Sequence, residues 1–138
     1  MKINVSTLEQ LESFAQSFSQ SVEKGDVIFL LGDLGSGKTT FTQLLLKHLG
    51  YKGRVKSPTY AIYESYCLNQ FELFHMDLYR LSSPEELFYM AIEEIIDSQS
   101  VVVIEWPQKG VGVLPLATKT LSFNLINASS REVILDTA

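Results

Sequence analysis

Cysteine is almost missing from this chain of 138 residues. The single Cys67 excludes an internal disulfide and makes a reducing, cytoplasmic compartment the simplest expectation. With no histidine near it in sequence, Cys67 reads as a small hydrophobe on a strand and not as a nucleophile. Long apolar runs are missing too. None approaches the ~20 residues of a membrane span, and MKINVSTLEQ lacks the apolar stretch of a signal peptide, so no membrane partner is expected. Arginine is scarce, at positions 54, 80 and 131, and the net charge is −5. That excludes a broad basic face for gripping nucleic acid alone. Lys52, Arg54 and Lys56 do cluster, but they read as a solvated loop. Repeats, low-complexity tracts and linkers are absent, so residues 1–138 read as a single domain. A hydrophobic content of 46% is ample for a core.

The remaining pattern alternates strands with helices. Residues 2–5 read as a short edge strand. Ser6-Thr7-Leu8-Glu9 reads as a capping box, opening a helix whose apolar residues recur to about Lys24 and which Gly25 ends. Val27–Leu31 is a continuous apolar run, as in a strand covered on both faces. A helix beginning near Lys38 carries Phe41, Leu45 and Leu49 and is closed by Gly50. Thr59–Leu68 and Phe71–Met76 flank Asn69-Gln70 and suggest an antiparallel hairpin. Ser83-Pro84-Glu85-Glu86 reads as a second capping box, with Pro84 at the first helical position and a helix to about Ile96. Val101–Ile104 is a second buried strand, and Lys119–Ile126 with Arg131–Asp136 forms a terminal hairpin. This order predicts an α/β fold of three layers, with a mixed central sheet flanked by helices.

Gly32-Asp33-Leu34-Gly35-Ser36-Gly37-Lys38-Thr39 matches G-x-x-x-x-G-K-[ST] without a mismatch. Glycines let successive N–H groups curl inward toward phosphate oxygens, and the helix beginning near Lys38 adds its positive end. Lys38 should reach the β- and γ-phosphates, and the Thr39 hydroxyl should ligate Mg²⁺. A buried strand before and an amphipathic helix after are the context this P-loop requires. Such a site also needs a carboxylate at a neighbouring strand end. Glu105 follows four apolar strand residues and has the stronger position; Asp77, after Met76, is either a second strand-end carboxylate or a turn residue. His75 alternates with Asp77, so it either faces the site or fills a wall. Trp106 either packs on a nucleotide base or, as its residue type favours unaided, belongs to the core. Ser57, Pro58, Thr59 and Tyr60 open the hairpin as either a phosphate-sensing switch loop or ordinary turn chemistry.

Several nucleotide-using classes are excluded by what is missing. There is no Asn-Lys-x-Asp or Asp-x-x-Gly of a GTPase, and no Leu-Ser-Gly-Gly-Gln-like transporter signature. A small-molecule kinase remains the alternative, although three scattered arginines make a thin lid, with Arg80 and Arg131 as possible phosphate contacts.

The P-loop through Thr40-Phe41, Lys56-Ser57-Pro58-Thr59-Tyr60, His75-Met76-Asp77-Leu78-Tyr79-Arg80-Leu81, Pro84-Glu85-Glu86-Leu87 and Ile104-Glu105-Trp106-Pro107 occur in that order. Together they resemble the bacterial TsaE (YjeE) family, from the first helix through Pro115. The resemblance implies a Mg²⁺-dependent ATPase, slow by itself, in the synthesis of threonylcarbamoyladenosine next to the anticodon of ANN-reading tRNAs. Its implied partners are TsaD, which transfers the threonylcarbamoyl group, and TsaB; tRNA is met through that complex. It implies that Lys38 contacts the phosphates, that Thr39 and Glu105 hold Mg²⁺, and that Asp77 assists hydrolysis. It further implies a switch loop at Ser57–Tyr60 and a nucleotide contact for Trp106. Arg131 matches a family arginine that reaches the nucleotide, and Thr7 and Leu8 border the adenine. Gly32, Asp33, Leu34, Gly35, Ser36, Gly37 and Thr40 complete the implied cradle. Ser36 stands where alanine is commoner in the family.

Overall fold

The computed structural model describes residues 1–55, 63–89, 92–97 and 99–137. Its strands are β1 (Lys2–Val5), β2 (Val27–Leu31), β3 (Tyr63–Cys67), β4 (Glu72–Asp77), β5 (Ser100–Glu105), β6 (Lys119–Leu125) and β7 (Arg131–Thr137). Its helices are α1 (Leu8–Ser19), α2 (Lys38–His48), α3 (Glu86–Tyr89) and α4 (Ile92–Ile95), with a 3₁₀ turn at Pro107–Gly110. The seven strands form one sheet in the order β1-β7-β6-β2-β5-β4-β3. The inner strands β6, β2, β5 and β4 run parallel, while β3, β7 and β1 are antiparallel to their neighbours.

The buried strands sit where the apolar runs place them. All six residues of β5 are buried between β2 and β4. Alternation along the parallel strands then divides the core in two. Ile28, Leu30, Leu73, Val101 and Val103 face α1 and α2, whereas Val27, Met76, Val102 and Ile104 face Leu87, Ile92 and Ile95. Phe41 of α2 is fully buried among Phe14, Phe18 and Phe123, with ring centroids 5.6–5.7 Å apart. Burying one such ring contributes about 1.5–3 kcal/mol, so Phe41 pins the first turn of α2 to the sheet. The mixed sheet with helices on both faces is the architecture expected from the sequence.

Three local expectations are corrected. The cap of α1 is Thr7, not Ser6. The sequence STLEQ holds two overlapping capping boxes, and the structure uses Thr7 with Gln10: Gln10 N–H donates to Thr7 Oγ1 at 3.2 Å, and Gln10 Oε1 accepts from Ser6 and Thr7 N–H at 2.6 and 3.3 Å. Ser6 Oγ instead meets Ser130 Oγ at 3.0 Å. Helix α1 also ends at Ser19, well before Lys24. The hydroxyls of Ser19 and Ser21 donate to the Gln16 and Phe18 carbonyls, drawing acceptors out of the helical ladder. Gly25, at φ 89°, makes the turn into β2 and donates its N–H to Ser100 O at 2.8 Å. Finally, Pro84 lies in a turn ahead of α3, which begins at Glu86. Glu86 N–H donates to the Ser83 backbone carbonyl at 3.2 Å. The reading of Cys67 is half right: it lies on β3 but is exposed. Lys52 and Arg54 are exposed, as a solvated loop requires, while Lys56, Met90 and Ala91 lie outside the described residues.

Candidate functional site

The site lies beyond the carboxyl ends of the parallel strands. β2 delivers the glycine loop, β4 ends on Asp77 and β5 ends on Glu105. In the β4–β5 register Asp77 stands directly opposite Glu105, so both carboxylates reach the same edge on the same face. The sequence favoured Glu105 on position; the register brings Asp77 to the same strand edge. Asp77 Oδ1 also accepts the Tyr79 N–H at 3.0 Å, so it is both a strand end and a turn residue.

The loop is built for close approach. Gly37 caps α2 at φ 108°, a conformation costly for a side chain, and a Cβ there would stand 2.9 Å from an Arg131 guanidinium nitrogen. Gly32, at φ 146°, passes so near Phe123 that a Cβ would meet its carbonyl oxygen at 2.7 Å. Ser36 N–H closes a turn onto Asp33 O at 3.1 Å, and Gly37 O accepts from Phe41 N–H at 2.9 Å. Asp33, Leu34 and Gly35 are exposed on the outer curve, whereas Thr39 and Thr40 are half-buried in the first turn of α2.

Lys38 is folded into this loop with its side chain 4% exposed. Its Nζ donates to Gly32 O at 2.6 Å, lies 4.0 Å from Glu105 Oε1, and sits 4.3 Å from the centroid of Trp106. Trp106 is the one non-glycine residue with positive φ (57°) among the described residues, and it precedes Pro107, which disfavours helical backbone. Backbone strain of this kind collects at functional sites. Here it turns the indole under Lys38 and against Tyr79, 5.0 Å between centroids. Trp106 thus packs beside the second core cluster, as its residue type favours, and also meets Lys38.

The electrostatics run against both key charges. Burial pushes the Lys38 ammonium down, and Glu105, Asp77 and Asp33 hold it up in part. Burial pushes the Asp77 carboxyl up, with Glu105 adding to the rise and the Tyr79 N–H, His75 and Lys38 opposing it. Among the described residues three buried polar atoms have no partner: Ser36 Oγ, His75 Nδ1 and Arg131 Nε. A buried polar atom without a partner costs about 1–3 kcal/mol.

The implied cofactors fit these residues. The loop N–H groups, Lys38 and Arg131 suit a polyphosphate, and Thr39, Asp77 and Glu105 offer oxygens to Mg²⁺. Among the described residues no group of three or more His, Cys, Asp or Glu is placed to hold a metal by itself. Mg²⁺ needs none, since it takes one or two carboxylates and completes its shell with phosphate and water. A cavity of about 290 Å³ adjoins the loop, lined by Thr7, Leu8, Thr40, Ser129 and Arg131. It brings Leu8 and Arg131, far apart in sequence, to one place. A wider groove of about 540 Å³, between Gln43, Lys47, Tyr51 and Val55, sits at the other end of α2 and away from the carboxylates. Arg80 is exposed beyond Asp77, and Ser57, Pro58, Thr59 and Tyr60 lie outside the described residues.

One contact was not read from the sequence. His75 Nε2 lies 2.6 Å from Glu105 Oε2, both side chains almost wholly buried. The alternation of His75 with Asp77 was the only signal for it, and it left the partner undetermined.

Comparison with known proteins identifies the family. Residues 5–133 match the profile of "Threonylcarbamoyl adenosine biosynthesis protein TsaE". The tRNA threonylcarbamoyladenosine biosynthesis protein TsaE of Haemophilus influenzae is 47% identical over 95 residues, covering 69% of this chain and 60% of that protein. Its counterpart in Borreliella burgdorferi is 38% identical over 108 residues, 78% of each chain. The match spans only about three fifths of the Haemophilus protein and of a Rickettsia felis relative. The crystal structure of Bacillus subtilis YdiB superposes with a TM-score of 0.80 at 26% identity, over 100% of this chain and 86% of that one. The profile and the fold match run across nearly the whole sequence and the relatives across most of it, and the chain belongs to the TsaE family.

Proposed function

We propose that this chain binds ATP with Mg²⁺ at the P-loop and hydrolyses it as a component of the tRNA threonylcarbamoyladenosine machinery, acting with TsaD and TsaB and not as the transferase. The observation that carries this reading is the convergence of Lys38, folded onto the glycine loop, with Asp77 and Glu105 at one strand edge. Lys38 and the loop N–H groups bind the phosphates. Thr39 and Glu105 hold Mg²⁺, whose chemistry is to neutralise phosphate charge. Asp77 lies on the same edge, where a carboxylate orients or accepts a proton from water. The cavity beside Leu8 and Arg131 takes the nucleoside. The net charge of −5 supports a protein partner over direct tRNA binding. The exposed thiol of Cys67 suits a reducing cytoplasm. Among the described residues no helix is long and apolar enough to cross a membrane.

The test is ATP binding and phosphate release by the wild type and Lys38→Ala, alone and with TsaB and TsaD. Lys38→Ala should lose at least about 100-fold in turnover, as expected when a main electrostatic group is removed. Undiminished turnover overturns the site. Faster phosphorylation of an added alcohol or nucleoside than of water would favour a kinase instead. Co-purification with TsaB and TsaD that ignores ATP would separate assembly from the nucleotide.

A further inference from the structure

We propose that His75 is a positioning residue for Glu105, anchoring one carboxylate oxygen so that the other faces the phosphate cradle; this rests on the reading of the site above. The two oxygens of Glu105 are in different situations. Oε2 lies 2.6 Å from His75 Nε2, and Oε1 points to Lys38 Nζ at 4.0 Å. A carboxylate only accepts hydrogen bonds, so the donor is His75 Nε2–H. Among the described residues Nδ1 has no partner in its buried position. Nε2 is therefore the ring nitrogen that carries the contact to Glu105.

The anchor has a structural reason. Glu105 is the last residue of β5, and Trp106 then leaves the strand at positive φ. A glutamate at such a corner has three side-chain torsions and no strand beyond it to restrain them. His75 lies two residues before Asp77 on the adjacent strand, on the same face, with its side chain 1% exposed. It therefore supplies from the core a fixed donor that the corner lacks. Outer partners of metal-binding groups orient them in this way, and their loss costs about 10–100-fold in metal affinity.

The experiment is titration of Mg²⁺ against the ATP-bound protein, followed by Trp106 fluorescence, for wild type, His75→Leu and His75→Gln, with nucleotide affinity measured in parallel in chelator. His75→Leu should raise the Mg²⁺ half-saturation about tenfold or more while leaving Mg²⁺-free ATP affinity unchanged. His75→Gln, which places an amide N–H near the Nε2 position, should recover most of the loss. Equal losses with and without Mg²⁺, or no rescue by Gln, overturn the anchor. A second arm needs no His75 variant: nitrogen NMR of the His75 ring should show hydrogen on Nε2 and should shift in Glu105→Gln. A ring spectrum indifferent to Glu105→Gln also overturns the anchor. A wild type that binds no ATP removes the reading of the site, while the NMR arm still judges the contact.

Discussion

The parallel strands carry a buried lysine–carboxylate contact at each end, and the two are built on opposite terms. At the amino end Lys119 Nζ donates to Asp26 Oδ2 at 2.6 Å. Thr118 Oγ1 donates to Asp26 Oδ1 at 2.8 Å and accepts from Val27 N–H at 3.0 Å, and Glu23 N–H donates to Oδ2 at 3.0 Å. Every oxygen of that carboxylate is used. At the carboxyl end Lys38 stands 4.0 Å from Glu105, with its bond spent on a backbone carbonyl, and among the described residues Ser36 Oγ, in the loop itself, has no partner. The satisfied end locks β2 to β6. The other end keeps its lysine and carboxylate apart, each bonded to a different group. Direct pairing, more than burial, separates the structural pair from the one proposed to bind nucleotide.

The largest expected break in this contrast is Lys119→Met. It removes the cation but keeps the apolar stem, leaving Asp26 buried without its ion partner. Breaking such a pair costs about 3–5 kcal/mol, and the midpoint should fall by on the order of 10 °C. Below the transition, nucleotide affinity should match the wild type, as read by calorimetry. A lowered affinity with unchanged midpoint would show that the amino end is not merely structural.

Asp77→Asn should act with the opposite sign. The Asp77 carboxyl titrates above its ordinary range, chiefly through burial. A raised value in the fold means its contribution to stability is present below the ordinary aspartate range and is lost as pH rises through the folded value. At neutral pH the ionised group is therefore a penalty, and the neutral amide removes it while still accepting from Tyr79 N–H. The midpoint should rise by about 2–4 °C at neutral pH, and the gain should vanish in acid, where Asp77 is already protonated. Turnover should fall in the same variant. Thermal unfolding across pH checks this, and a gain independent of pH would remove burial of the charge as its cause.

How far each end was legible in the sequence follows from how local its signals are. The P-loop is contiguous in sequence, so its cradle, Lys38 and Thr39 were readable directly. Asp77 and Glu105 were readable as strand ends, because apolar runs announce where strands stop. The Asp26–Lys119 pair joins residues 93 apart, and no motif marks it; only the β2–β6 register creates it. The His75–Glu105 bond likewise depends on β4–β5 register. Arg131 was read as a possible phosphate contact, and its place against Gly37 was not legible, since a strand's first residue says nothing of the loop it meets. The slip from Ser6 to Thr7 has another origin: two overlapping caps are nearly equal locally, and Ser130, across the fold, takes the Ser6 hydroxyl.

The smallest effect sharpens the contrast most. Ser36 Oγ is fully buried and unpartnered, close under Gly32. Ser36→Ala deletes that hydroxyl with little change of shape. Without ligand it should stabilise the fold by up to about 1 kcal/mol, since an unsatisfied buried polar atom is removed. The informative quantity is how this gain responds to Mg²⁺ and ATP. If the hydroxyl is waiting for a ligand, nucleotide satisfies it in the wild type, and the advantage of alanine should shrink or reverse when ATP is present. If it is only a packing defect, the advantage should persist unchanged. Differential scanning of both proteins with and without Mg²⁺ and ATP separates the two. A constant gain would mean that the unpartnered atoms at this end do not all belong to the binding apparatus.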